Sequence, residues 1–123
     1  MRNIAKLFVV LAILVMIPGL QVFADPGDYY SPYDVAYSPN GTYIAVTDAT
    51  KGSVAIITAS TGTLTRTVSL NGVPKGVAWA DDSSRLYVAE YDGKNVAEIN
   101  PTNGSITQRY QTSRKPCGVD VTG

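Results

Sequence analysis

Pro32, Pro74 and Pro116 stand forty-two residues apart. An even period of this length limits the chain more than any other feature, since self-similarity at about 20 to 50 residues marks architectures of stacked units that cannot bury their apolar faces alone. Residues 32–73 lie on residues 74–115 without a gap. In that register Val35 falls on Val77, Ala36 on Ala78, Val46 on Val88, Val54 and Ala55 on Val96 and Ala97, Ile57 on Ile99, Gly62 on Gly104, and Thr65 on Thr107. A third copy starts at Pro116 and puts Gly118 on Gly76 and Val119 on Val77.

Each copy reads as four strands. In the second they fall at about residues 77–80, 86–91, 96–100 and 105–112, where β-branched and aromatic residues fill the runs. Turn formers punctuate them: Pro39-Asn40-Gly41, Ser60-Thr61-Gly62, Asp92-Gly93 and Asn103-Gly104. Asn40-Gly41-Thr42 and Asn103-Gly104-Ser105 also match glycosylation acceptors, but Asn-Gly is the strongest two-residue turn signal and the turn reading is preferred. Four short strands in about 40 to 45 residues is the size of one β-propeller blade. The expected fold is all-β: blades that are four-stranded antiparallel sheets, forming an incomplete ring.

Pro-x-Gly-Val-Ala at residues 74–78, Leu-Tyr-Val-Ala at 86–89, Val-Ala-Glu-Ile at 96–99 and Thr-Asn-Gly at 102–104 resemble the YVTN β-propeller repeat. NHL-type repeats share much of this pattern. The first copy carries it less fully, with Asp34 in place of the glycine and Ile44-Ala45-Val46-Thr47 at the second-strand signature. The resemblance implies a propeller over roughly residues 32–123. It implies no single activity, because such propellers bind many things and some carry catalysis.

Ahead of the repeat, a basic start with Arg2 and Lys6 leads into an apolar run from Leu7 to Ile17, then Pro18-Gly19 and a Val22-Phe23-Ala24 exit. This is the pattern of a helical signal peptide cleaved before Asp25. The run is shorter than the roughly 20 residues that span a bilayer and Pro18-Gly19 interrupts it, so a retained anchor is disfavoured. The expected plan is a signal peptide at 1–24, a lead segment at 25–31, blades at 32–73 and 74–115, and the start of a third blade at 116–123. The expected location is extracytoplasmic: periplasmic, secreted or on the cell surface. Cys117 is the single cysteine. It cannot form an internal disulfide, and reads either as a small half-buried hydrophobe or as a thiol whose partner lies elsewhere.

Two blades do not make a ring, since closed propellers use four to eight. Val35 and Tyr37, like Val77 and Trp79, can face one side of their sheet while Ala36 and Ala78 face the other, and both sides need cover. The chain is therefore expected to be part of a longer propeller, or a unit whose copies complete a ring, or an unclosed sheet with exposed apolar patches. Alone and dilute, it is expected to be oligomeric or poorly folded.

With residues 1–24 removed, the remaining 99 carry a net charge of −2 and no basic footprint for nucleic acid. No stable membrane insertion is expected after cleavage. The chain contains no histidine, which excludes histidine triads, histidine haem ligation and His-containing zinc sites from these residues. Hydrolase-elbow, phosphate-loop and EF-hand patterns are absent too. No catalytic residue, metal or cofactor is expected. Asp81-Asp82, Asp48, Glu90 and Asp92 read as turn acids bonded to local backbone rather than as a calcium site. The Tyr29-Tyr30-Ser31-Pro32-Tyr33 cluster reads as packing for the edge of a sheet, with a carbohydrate platform as the alternative.

By analogy with other propellers, ligands meet the loops where one blade hands over to the next. That places the candidates at residues 71–75 and 113–117, with the second-to-third-strand loops at 47–53 and 90–95. Lys75, Asp48, Asp92, Arg114 and Lys115 are the side chains singled out there. The leading function is an exported binding or scaffold module presenting these loops to a protein, a glycan or the cell envelope. Two alternatives stay open: a non-catalytic part of a lactonase-like or lyase-like propeller enzyme, and a structural component of the cell surface.

Overall fold

The computed structural model describes residues 30–123, so the expected signal peptide lies outside the described residues. Eight strands form two sheets of four: β1 (Pro32–Tyr37), β2 (Tyr43–Asp48), β3 (Ser53–Thr58) and β4 (Thr63–Ser69), then β5 (Pro74–Trp79), β6 (Leu86–Glu90), β7 (Asn95–Ile99) and β8 (Ile106–Gln111). Each sheet is an antiparallel meander in chain order, β1-β2-β3-β4 and β5-β6-β7-β8. The repeat survives in detail. Val35 pairs with Val46 as Val77 pairs with Val88, and the sheets bulge at matching places, between Pro32 and Val35 or Pro74 and Val77, and between Ile56 and Ile57 or Glu98 and Ile99.

The turn from first to second strand explains why the repeat tolerates different residues. Gly41 takes φ +74°, and Ser83, its counterpart forty-two residues on, takes φ 63°. An L residue in that region is strained, so Ser83 needs compensation. Its hydroxyl accepts the amide of Asn40 in the neighbouring blade at 3.0 Å, and Asp82 caps the turn by accepting the Ser84 amide at 2.9 Å.

The core is the seam between the blades. Ala45, Val54, Ile56 and Val68 of the first sheet meet Val77, Trp79, Leu86, Val88, Ala97 and Ile99 of the second. Trp79 stacks on Tyr43 with ring centroids 6.2 Å apart, and its indole N–H donates to the Ala36 carbonyl at 3.0 Å. Polar clamps frame this apolar centre. The Val77 amide donates to Asp34 Oδ2 at 3.0 Å, Thr47 Oγ1 donates to the Lys75 carbonyl at 2.8 Å, and Arg66 Nε donates to the Pro101 carbonyl at 3.3 Å.

Residues 116–123 take the place of a third first strand. The Gly76 amide donates to the Cys117 carbonyl at 3.0 Å, and a Cβ on Gly76 would lie 2.6 Å from the Gly118 Cα. Glycine is required here because backbone meets backbone. The first blade solves the same problem differently: Asp34 and Thr47, in the places of Gly76 and Ala89, bridge the strands with side chains. Cys117 is exposed rather than half-buried.

The far face of the second sheet is polar. Glu98 accepts hydrogen bonds from Thr107, Tyr110 and Tyr87, and Arg85 Nε lies 3.5 Å from its Oε1. Thr107 and Tyr110 lead in holding the Glu98 carboxyl below its usual range. Burial raises the Tyr87 phenol, with the Glu98 bond adding to it, and the Glu98 bond raises Tyr110. A depressed carboxyl stabilises the fold above its unfolded value of about 4.3, and that stability is lost as pH falls through the folded value. The raised phenols stabilise it below about pH 10, and that is lost as pH rises through their folded values. The thermal midpoint should therefore fall at both ends of a pH series, and Glu98→Gln should flatten the acid limb; an unchanged acid limb in that variant would count against the cluster.

Candidate cation and tyrosine site at the handover loops

The best-developed surface cluster stands where the sheets hand over to one another. Tyr33, Lys75 and Cys117 are forty-two residues apart; the first two hold the same place in β1 and β5, and Cys117 holds it in the segment after β8. That register sets Tyr33 of β1 next to Lys75 of β5. The Lys75 ammonium lies 4.3 Å from the Tyr33 ring centroid and 4.9 Å from that of Tyr91, at the end of β6. Lys115 stands 4.9 Å from the same Tyr91 ring and 2.7 Å from Asp92 Oδ1. The hydrogen bond and charge of Asp92 push the Lys115 ammonium up, which keeps it charged. A second pair repeats the theme on the first sheet, with Lys51 5.1 Å from the Tyr30 ring.

The loops are anchored from below by two carboxylates at equivalent positions. Asp48 Oδ1 accepts amides from Ser31 at 3.2 Å, Thr50 at 2.9 Å and Lys51 at 3.0 Å. Glu90 is fully buried; it accepts the Asn71 amide and pairs with Arg109, whose Nε lies 2.7 Å from Oε2. Both carboxylates hold the handover strand against the second-to-third-strand turn.

Of the five side chains singled out in the sequence, three come together: Lys75, Lys115 and Asp92. Asp48 is buried and committed to backbone amides, so it shapes the loop instead of facing a ligand. Arg114 is exposed nearby, its carbonyl accepting the Thr112 hydroxyl at 2.6 Å. The sequence reading left Tyr91 out of the site and preferred sheet-edge packing to a carbohydrate platform for Tyr30 and Tyr33, which are both exposed. The signal for Tyr33 was present, because the period that aligns it with Lys75 also makes the two neighbours. Among the described residues of these loops, Lys51, Lys75, Lys94, Arg114 and Lys115 face a single exposed carboxylate, Asp92. The end is basic and aromatic, suited to holding anionic groups. No group of His, Cys, Asp and Glu among the described residues could hold a metal ion, and no described helix is long and apolar enough to cross a membrane.

No protein-family model matches the chain, and no curated protein matches it either. Solved structures do. Hydrazine synthase of Kuenenia stuttgartiensis is 24% identical with a TM-score of 0.69, over 85% of this chain and 29% of that one. The β-propeller domain of Cps50 (Swd1) from Myceliophteria thermophila is 17% identical with a TM-score of 0.63, over 71% of this chain and 27% of that one. The likeness shows the fold: the two sheets are propeller blades. The chain spans less than a third of the length of either solved chain.

Proposed function

We propose that this chain is an exported binding or scaffold module of the YVTN repeat type, which uses its handover end to hold anionic groups on a protein, a glycan or the cell envelope. One observation carries the reading. Tyr33, Lys75, Tyr91 and Lys115 form a continuous ladder of rings and ammoniums drawn from both repeats, on loops already fastened by Asp48 and Glu90. A ligand carrying carboxylates is the natural counterpart of these cations. No catalytic role, metal or cofactor is assigned to these residues, and nucleic acid is not a proposed partner.

Retention on immobilised polygalacturonate, with uncharged dextran as control, tests the reading. Wild-type protein should be retained on the acidic glycan and released by salt, and the Lys75→Ala, Lys115→Ala double variant should bind about tenfold more weakly with unchanged stability. Equal retention of the two proteins, or none by either, would defeat it.

A further inference from the structure

The first blade leaves one face open, and that face is a copy of a buried one. Val35 and Tyr37 are 58% and 67% exposed, whereas Val77 and Trp79, forty-two residues later, are each 6% exposed within the seam. The backbone register is the same in both sheets, Tyr37 pairing with Ile44 as Trp79 pairs with Leu86. Across β2, β3 and β4 the open face continues as a groove of about 460 Å³ whose walls include Val46, Ala55, Ile57 and Leu64. In the second blade the corresponding Val88, Ala97 and Ile99 are fully buried. The open face thus has the register and apolar character of one half of a blade seam.

The chemistry of the seam also selects what can cover it. In the seam, the covering blade presents Ala45, Val54, Ile56 and Val68. A second copy of this chain, docking head to tail, would present the far face of its second sheet, with Tyr87, Val96, Glu98 and Tyr110 at those positions. Glu98 would be carried with its hydroxyl partners and Arg85 into an apolar contact, where a charged group is costly to bury. This chain's β1 would also need the place beside the copy's β5 that the copy's own residues 116–123 already fill. The 29 residues ahead of Tyr30 are too few for a blade of forty-two.

We infer that the open face of the first blade docks a further four-stranded blade of the same repeat, one with small and aliphatic residues where this chain has Ala45, Val54, Ile56 and Val68, supplied by polypeptide outside these 123 residues. This inference does not rest on the anionic-ligand reading: the groove meets the loops at Tyr30, Asp48 and Lys51, but Lys75, Tyr91 and Lys115, which carry that reading, do not line it.

The test builds the missing partner. In a Cys117→Ser background, Leu64→Cys reports on the open face, where Leu64 is 59% exposed. A duplicate of residues 32–73 is inserted ahead of Pro32, so that the added blade offers its own Ala45, Val54, Ile56 and Val68 to the open face. Labelling of Leu64→Cys in the original blade by a maleimide should slow about tenfold or more in the extended chain. Ile56→Glu in the added blade, which imitates Glu98, should restore fast labelling. In the unextended chain, labelling should be fast at every protein concentration. An extended chain that labels as fast as the unextended one overturns the inference, whether it is folded or not. Concentration-dependent protection in the unextended chain also overturns it, because a second copy would then be the occupant.

Discussion

Replacing Trp79 by Ala is expected to cost about 3–5 kcal/mol of unfolding free energy, the range for deleting a large buried aromatic. The indole fills the centre of the seam, stacked on Tyr43, and donates a cross-blade hydrogen bond to the Ala36 carbonyl, which β2 also bonds through the Ala36–Ala45 pair. Truncation removes the area and the cross-blade bond together. Trp79→Phe separates the two, keeping most of the packing and losing the hydrogen bond, at about 1 kcal/mol for the bond itself. The control is Tyr37→Ala at the matching place on the open face. Tyr37 is 67% exposed, so its removal should stay within about 0.5 kcal/mol. Urea unfolding followed by far-ultraviolet circular dichroism compares the three without relying on the tryptophan itself. Equal losses at Trp79 and Tyr37 would mean that the blades do not depend on this seam.

That contrast shows what a repeat can and cannot disclose. Period and turn chemistry were enough to place the strands and give the alternation of Val77 and Trp79 against Ala78, because backbone pairing repeats with the sequence. Burial does not repeat. Val35 and Val77 are the same residue in the same register, yet one is solvent-exposed and the other is core, because only one has a neighbouring blade. The site was half legible for a related reason. Lys75, Lys115 and Asp92 lie on loops that propeller geometry marks in advance, while Tyr91 reads locally as the end of a strand and joins the site only when Lys75 and Lys115 flank it. Asp48 and Glu90 were seen as acids at strand ends. Asp48 fits the turn-acid reading through its bonds to Thr50 and Lys51. Glu90 does not, because its partner Arg109 is nineteen residues away and replaces Thr67 of the first copy, a departure from the repeat that no period can announce.

Arg109→Ala is expected to be the second severe change, at about 3–5 kcal/mol, and for a different reason. Glu90 pairs with Asn95 across β6 and β7, and Arg109 pairs with Ala97 across β7 and β8, so the two meet diagonally over β7. Arg109 Nε lies 2.7 Å from Glu90 Oε2, and its Nη2 lies 3.4 Å from Oε1. Removing the guanidinium leaves a carboxylate with no exposed surface and only the Asn71 amide to bind it. The reverse change should cost less. In Glu90→Ala the orphaned guanidinium is 31% exposed and reaches water, so about 1–3 kcal/mol is expected, mostly from the unpaired Asn71 amide. Replacing both by Leu removes the buried charge and its partner together and should recover much of the loss. The effect extends to the loops, because Glu90 ties down Asn71 on one side and leads directly into Tyr91 on the other, and the Tyr91 amide donates to the Val73 carbonyl at 2.8 Å. Freeing that joint loosens both the segment that carries Lys75 and the ring it rests on. Arg109→Ala should accordingly weaken polygalacturonate retention while leaving Lys75, Lys115 and Asp92 untouched, and the double Leu variant should restore stability and retention together. If Arg109→Ala proves no more damaging than Glu90→Ala, the carboxylate is not held as a buried charge, and the anchoring of the handover loop must lie elsewhere.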